Sequence, residues 1–313
     1  MTDKNHLLLV NDFHSETVLI LDSLYQTHKL WQLDQHAKEQ LILDLSPVCQ
    51  AVALGSWVRD DLIYQLPRLE IISCLGVGVD VIDFDITRAR NICVTNTPDV
   101  LNDAVADAAL ALILATSRNI VNADKFVRSE RWLEGSFPFG RSLAGKVLGI
   151  VGLGRIGEAI VHRALPFKLK IAYHNRSLRN LPYTYYSTLA ELAQNSDILL
   201  CMLPGGEETH EIINYKILEH LGPDGIFINV GRGSSVDELA LAQALEEGKI
   251  AGAGLDVYTN EPHVPKDLMA LDNIVLFPHI GSGTVETRSA MGKLVMQNLA
   301  AFFAGQSLIT EVS

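Results

Sequence analysis

The 313-residue chain predicts an α/β protein of two doubly wound parallel sheets, and three observations lead there. Short apolar runs alternate with longer stretches of helical period, as stacked βαβ units require. The runs fall into two series, separated by a helix that is apolar nearly all round. The length also exceeds what one hydrophobic core usually serves, so two domains are expected.

In chain order, "HLLLV" (6–10), "AVALG" (51–55), "EIISCLG" (70–76) and "CVTNT" (93–97) read as strands of the first series. The stretch "DVLNDAVADAALALILATSR" (99–118) reads as a helix capped by Asp99 and buried on most sides beyond Val105. A second series follows: "KVLGIVGLG" (146–154), "LKIAYHN" (169–175), "SDILLCMLP" (196–204), "GIFINVG" (225–231), "AGAGLDV" (251–257) and "NIVLFP" (273–278). Between these strands lie helices such as 155–167, ended by Pro166, and 236–248, ended by Gly248. The last helix, "VETRSAMGKLVMQNLAAFFAG", is amphipathic and is expected to return to the first domain. The pattern therefore predicts one domain from 1–98 and 284–313, and a second from 99–283.

Composition narrows the function classes. Hydrophobic residues at 48% and charged residues at 20% fit an ordinary globular protein. A formal net charge of −12 opposes attraction to nucleic acid and to anionic membranes, so neither is expected as a partner. No apolar stretch reaches the roughly 18 residues of a membrane span. The apolar run near the start is too short for a signal peptide. Cys49, Cys74, Cys93 and Cys201 are scattered without a CxxC pair and read as buried free thiols of a cytoplasmic protein, with no metal site expected.

The segment "VLGIVGLGRIG" places an apolar run before Gly152, Gly154 and Gly157 and a helical pattern after them. Gly152 suits a tight turn, Gly154 lets a pyrophosphate approach the backbone, and Gly157 allows close helix-to-strand packing. The phosphates would rest on the N–H groups of the helix start, at Arg155 and Ile156. An acid about 20 residues further on would bind the ribose of NAD, but this chain reads Asn175, Arg176, Ser177. A guanidinium there fits a ribose 2′-phosphate, so the expected cofactor is NADP (NADPH).

"GLGRIG", "NVGRG", "GLDVYTNEP" and "FPHIGSGT" succeed one another at spacings that resemble the D-isomer-specific 2-hydroxyacid dehydrogenase family. "CLGVGVDVID", "VTNTPDVLNDAVAD" and "RWLEGSFPFGRSLAGK" look most like its glyoxylate and hydroxypyruvate reductase branch. The resemblance implies a Rossmann coenzyme domain inserted into a flavodoxin-like substrate domain. It also implies a homodimer, with the segment Arg118 to Trp132 at the interface. The family's catalytic trio falls on Arg232, Glu261 and His279. An imidazole titrating near pH ~6.5 suits the proton donor in reduction of a 2-keto acid. Glu261 would fix its ring, and Arg232 would hold the substrate carboxylate and polarise the carbonyl.

Asp256 resembles the family's nicotinamide contact, and Cys201, Leu203 and Pro204 its adenine-side wall. Val230, Gly231 and Gly281 complete the expected cofactor contacts. Gly231 departs from the family text, where Ala is common. On the substrate side, backbone N–H groups of Gly76, Val77, Gly78 and Val79 are expected to bind the same carboxylate. Leu54, Trp57, Leu75 and Val77 are expected to form a narrow, mostly apolar wall, unsuited to a second anionic group such as a phosphate. The resemblance favours NADPH-dependent reduction of small 2-keto acids. An NAD-linked enzyme such as phosphoglycerate dehydrogenase and a noncatalytic corepressor-like member remain alternatives.

Overall fold

The computed structural model describes residues 4–312. They form two units, one from the residues up to Leu101 together with those from Gly283 onward, the other from Asn102–Ser282.

In the first unit, β1 (His6–Leu9), β2 (Gln26–Lys29), β3 (Ala51–Gly55), β4 (Ile71–Leu75) and β5 (Cys93–Thr95) form one parallel sheet, ordered β2-β1-β3-β4-β5. This is the flavodoxin-like order, with its switch point between β1 and β3. Every residue of β3 and β4 is buried, as expected of strands covered on both faces. β2 has the sequence QTHK and no apolar residue to announce it; its pairing with β1, from His6↔Gln26 to Leu9↔Lys29, makes it an edge strand. The helix Val285–Phe303 is capped by Thr284, whose hydroxyl accepts from the Thr287 N–H at 3.2 Å. It lies close to the helix Ser15–Leu24 because Gly292 faces Thr17, whose Oγ1 would be 2.1 Å from a Cβ at 292.

In the second unit, β6 (Val147–Val151), β7 (Lys170–His174), β8 (Thr184–Tyr185), β9 (Ile198–Cys201), β10 (Ile226–Asn229), β11 (Gly252–Leu255) and β12 (Ile274–Leu276) form a seven-stranded parallel sheet. The order β12-β11-β10-β9-β6-β7-β8 is the Rossmann order extended by one strand, with its switch point between β6 and β9. The two-residue β8 is too short to leave a period in the sequence.

The helix spans Asn102–Ser117, three residues beyond Asp99, which has a left-handed φ of 68°. Its buried face includes Ala106, Ala109, Leu112 and Ile113. The glycines of β11 let it approach the sheet, since a Cβ at Gly254 would lie 2.9 Å from Thr116 Oγ1. The helix Arg155–Ala164 stops before Pro166, which lies in a following 3₁₀ turn. No single helix among the described residues is long and apolar enough to cross a membrane.

Candidate active site

The loops that leave the carboxyl ends of β10, β11 and β12 bring the three expected reactive residues together. Arg232 follows β10. Its carbonyl accepts from Asn229 Nδ2 at 2.9 Å and Ser235 Oγ at 2.7 Å, which fixes the backbone beneath the guanidinium. Gly233 next to it cannot be replaced in this geometry, because a Cβ would lie 1.9 Å from the Tyr258 carbonyl carbon. Gly231 is confined on the other side: a Cβ there would lie 2.6 Å from Leu203 O, so the alanine common in the family text would push these two segments apart.

Glu261 receives the Tyr258 N–H on Oε1 at 3.0 Å, and its Oε2 lies 2.7 Å from His279 Nδ1. His279 adopts a left-handed φ of 52°, held by its N–H bond to the Asp256 carbonyl at 2.9 Å. The side chains of the pair are about one-fifth exposed. A carboxylate on Nδ1 keeps that nitrogen protonated, so proton exchange with a substrate falls to Nε2. Burial pushes the Glu261 carboxyl up. The hydrogen bond and charge of His279, the Tyr258 N–H and the charge of Arg232 outweigh it and hold the group below its ordinary range.

Asp256, at the end of β11, has a structural use visible in its contacts. One oxygen accepts the Ile280 N–H and the other the Gly281 N–H, both at 2.7 Å, so the carboxylate anchors the loop that carries His279. Burial raises its carboxyl, against the lowering effect of those N–H groups and of His279. Gly281 is required by this contact, since a Cβ would lie 2.9 Å from Asp256 Oδ2.

At the carboxyl end of β6 the glycine-rich turn has the geometry of a phosphate cradle. Gly152 has φ 89°, which favours glycine. A Cβ at Gly154 would meet nothing within 4 Å, so the space above it is open to a ligand, and one at Gly157 would lie 2.9 Å from Leu153 Cδ1. The N–H groups of Arg155, Ile156 and Gly157 precede the first intrahelical bond, Glu158 N–H to Gly154 O at 2.9 Å. Leu203 lies over the turn, its Cδ2 3.1 Å from a Cβ at Gly152, and Pro204 beside it is exposed.

Several expected cofactor contacts are already committed within the protein. The Asn175 side chain clamps the turn, Oδ1 accepting the Leu153 N–H at 2.7 Å and Nδ2 donating to Leu153 O at 3.1 Å, so its amide supports the cradle and does not reach for a 2′-phosphate. Cys201 is fully buried with its thiol 3.3 Å from Ser235 Oγ. Val230 and Gly231 spend their N–H groups on Cys201 O and Asn229 Oδ1. Arg176 and Ser177, by contrast, are exposed; Arg176 pairs with Glu208 at 2.7 Å. Sequence reading missed Glu208, which a distant loop delivers. It also missed Arg179, which donates to Leu153 O at 2.6 Å and pairs with Glu158 at 2.8 Å. Its only sequence signal was a second arginine three residues beyond Arg176.

In the first unit the substrate-side expectations divide. Gly76 has its N–H on Thr97 Oγ1 at 2.9 Å, so this donor is spent. The N–H groups of Val77, Gly78 and Val79 find no protein acceptor among the described residues and suit an anion. Leu54 and Leu75, expected in the apolar wall, are buried, at 1% and 2% exposure. Trp57 is half-buried, and the Arg288 guanidinium lies 4.7 Å from its ring centroid.

Residues 110–281 match the family model described as D-isomer specific 2-hydroxyacid dehydrogenase, NAD binding domain. The chain is 50% identical over 252 residues to glyoxylate/hydroxypyruvate reductase A of Arabidopsis thaliana, covering 80% of each protein. It is 46% identical over 295 residues to hydroxyphenylpyruvate reductase of Plectranthus scutellarioides, covering 93% of this chain and 94% of that one. The crystal structure of an NADPH-dependent glyoxylate/hydroxypyruvate reductase of Sinorhizobium meliloti, in complex with NADP and malonate, superposes with a TM-score of 0.92 at 41% identity, covering 99% of this chain and 97% of that one.

Proposed function

The chain belongs to the D-isomer-specific 2-hydroxyacid dehydrogenase family, and on that premise we propose that it reduces glyoxylate and hydroxypyruvate to glycolate and D-glycerate with NADPH. The observation that carries the reading is the His279–Glu261 pair at 2.7 Å, with the Arg232 charge felt at Glu261, at the strand ends of a sheet that also bears an open glycine cradle. The names of the relatives supply the substrate class, and the NADP complex of the Sinorhizobium enzyme supports the cofactor.

The cradle fits a dinucleotide. Gly154 leaves room for the pyrophosphate, the N–H groups of 155–157 donate to it, and Arg176 with Ser177 would hold a 2′-phosphate. The bound coenzyme supplies a hydride. Arg232 grips the substrate carboxylate and draws electron density toward the carbonyl oxygen. His279 gives that oxygen its proton from Nε2, and Glu261 stabilises the imidazolium beforehand and keeps the ring aimed. Asp256 acts at one remove, by holding Ile280 and Gly281.

The protein pairs as a homodimer through the helix Ile120–Arg128 and the segment after it. Ile120, Val127, Trp132, Leu133 and Phe139 are all at least half exposed there, more apolar surface than a monomer ordinarily leaves in one stretch. Four free thiols, three of them buried as expected and Cys93 only half-buried at the end-strand β5, support a reducing, cytoplasmic setting. The test is NADPH oxidation with glyoxylate and with hydroxypyruvate, followed by chiral analysis. D-glycerate is the expected product, and L-glycerate would sink the reading.

A further inference from the structure

We propose that Glu238 is a positioning residue for the Glu261–His279 pair, an inference that rests on the keto-acid reading above. Its carboxylate clamps the Tyr258–Thr259 peptide against the segment that carries Arg232, and so fixes where Glu261 holds the His279 ring. Glu238 is the first residue of the helix Glu238–Glu246, a place where an acid usually serves the helix start. Asp237 already caps that start, its Oδ1 accepting the Ala240 N–H at 2.9 Å. The Glu238 side chain turns to the loop after β11, where its Oε1 accepts the Thr259 N–H at 2.9 Å. The preceding N–H, of Tyr258, goes to Glu261 Oε1 at 3.0 Å. Two consecutive backbone donors are therefore held by two different carboxylates.

The peptide between those donors is packed on more than one side. Gly233, next to Arg232, has no room for a Cβ against the carbonyl carbon and oxygen of Tyr258 and the nitrogen of Thr259. Glu238 thus grips, from the 232–238 segment, the same peptide that Gly233 lies against, and the two contacts together set the spacing between that segment and Glu261. The Tyr258 hydroxyl donates to Phe277 O at 2.9 Å, two residues before His279. Only Asn260 separates Thr259 from Glu261, and its carbonyl accepts the His263 N–H at 2.8 Å, so the loop is held on both sides of Glu261. Keeping a carboxylate here is costly. Burial pushes the Glu238 carboxyl up and the charge of Glu261 pushes it the same way, against the Thr259 N–H and hydroxyl. A carboxyl with no task in the first turn of a helix would turn out to water. Without the anchor the Thr259 N–H seeks water and the loop relaxes, carrying Glu261 away from His279 Nδ1, where a displacement of about 1 Å is enough to cost catalysis.

The experiment measures kcat with glyoxylate and KM for NADPH in the wild type, Glu238→Met, Glu238→Gln and Glu238→Asp, and repeats Glu238→Met in a Glu261→Ala background. Met fills the same space without an acceptor and should lower kcat by about tenfold or more, at unchanged KM for NADPH. Gln keeps the acceptor and should recover most of that loss, to within about threefold of the wild type. Asp keeps the charge but falls short of the Thr259 N–H, and should lose as much as Met; if Met does not fold, Asp carries the test in both backgrounds. Because Glu238 acts through Glu261, its replacement should cost less than about twofold once the Glu261 side chain is gone. A merely structural glutamate would cost the same factor in both backgrounds; that result, or full kcat in Glu238→Met or Glu238→Asp, overturns the inference. A wild type that does not oxidise NADPH with glyoxylate overturns the keto-acid reading itself.

Discussion

Replacing Arg176 with alanine is expected to lower kcat/KM for NADPH by roughly tenfold and to change that for NADH by less than about twofold, a size that follows from two competing contacts. The guanidinium is 90% exposed and already pairs with Glu208, itself 77% exposed, at 2.7 Å. A hydrogen bond from a charged donor to phosphate contributes about 1.5 to 3 kcal/mol. The exposed carboxylate that the phosphate must displace is worth only about 0.2 to 1 kcal/mol, screened as it is by solvent. The difference spans about 0.5 to 2.8 kcal/mol, or roughly two- to hundredfold. The same reasoning fixes the sign of a second change: Glu208→Gln removes the competitor and should raise kcat/KM for NADPH by about two- to fivefold. Added salt should narrow the gap between the two cofactors, since both contacts are exposed. The assay is a titration of NADPH and of NADH at saturating glyoxylate. Equal losses for the two cofactors in Arg176→Ala, or a fall in NADPH efficiency in Glu208→Gln, would refute the reasoning.

Asn175→Ala should raise KM for NADPH and NADH alike, by about tenfold, because the side chain shapes the glycine turn through both its bonds to Leu153 and reads nothing on the ribose; a loss confined to NADPH would contradict this. Glu261→Gln should lower kcat by roughly ten- to hundredfold through loss of imidazolium stabilisation, with KM for NADPH unchanged. The same variant tests stability. The folded protein holds the Glu261 carboxyl below its unfolded value, so its stabilisation is complete above about pH 4.3 and is lost as pH falls through the folded value. Thermal melts of variant and wild type should therefore lie apart at neutral pH and converge in acid, and a constant gap would remove the pair from the account.

Features set by local backbone constraint were readable from the sequence. Gly152 and Gly157 each have a steric or conformational reason, Gly154 leaves open space above the turn, and the six longer strands of the second unit announce themselves as short apolar runs. Arg232, Glu261 and His279 could be singled out because their motifs resemble those that carry the family's catalytic trio and fall at successive strand ends. Contacts made by tertiary approach left no such trace. β2 is polar and exists through its pairing with β1. Asn175 looks like a ligand donor until its amide is found on Leu153. The loop carrying Glu208 and the helix carrying Arg288 lie far along the chain from Arg176 and Trp57, so neither the counter-ion nor the cap on the indole has a periodic or motif signal.

Whether His279, aimed by Glu261, protonates a keto acid while NADPH is oxidised is decided by the single-turnover rate of NADPH oxidation with glyoxylate in the wild type and in His279→Ala, with NADPH affinity measured on both. The wild type is expected to turn over and the variant to be slower by about 10² to 10⁴, the usual share of general acid catalysis, at unchanged NADPH affinity. An equal rate in the two proteins would contradict this role of His279.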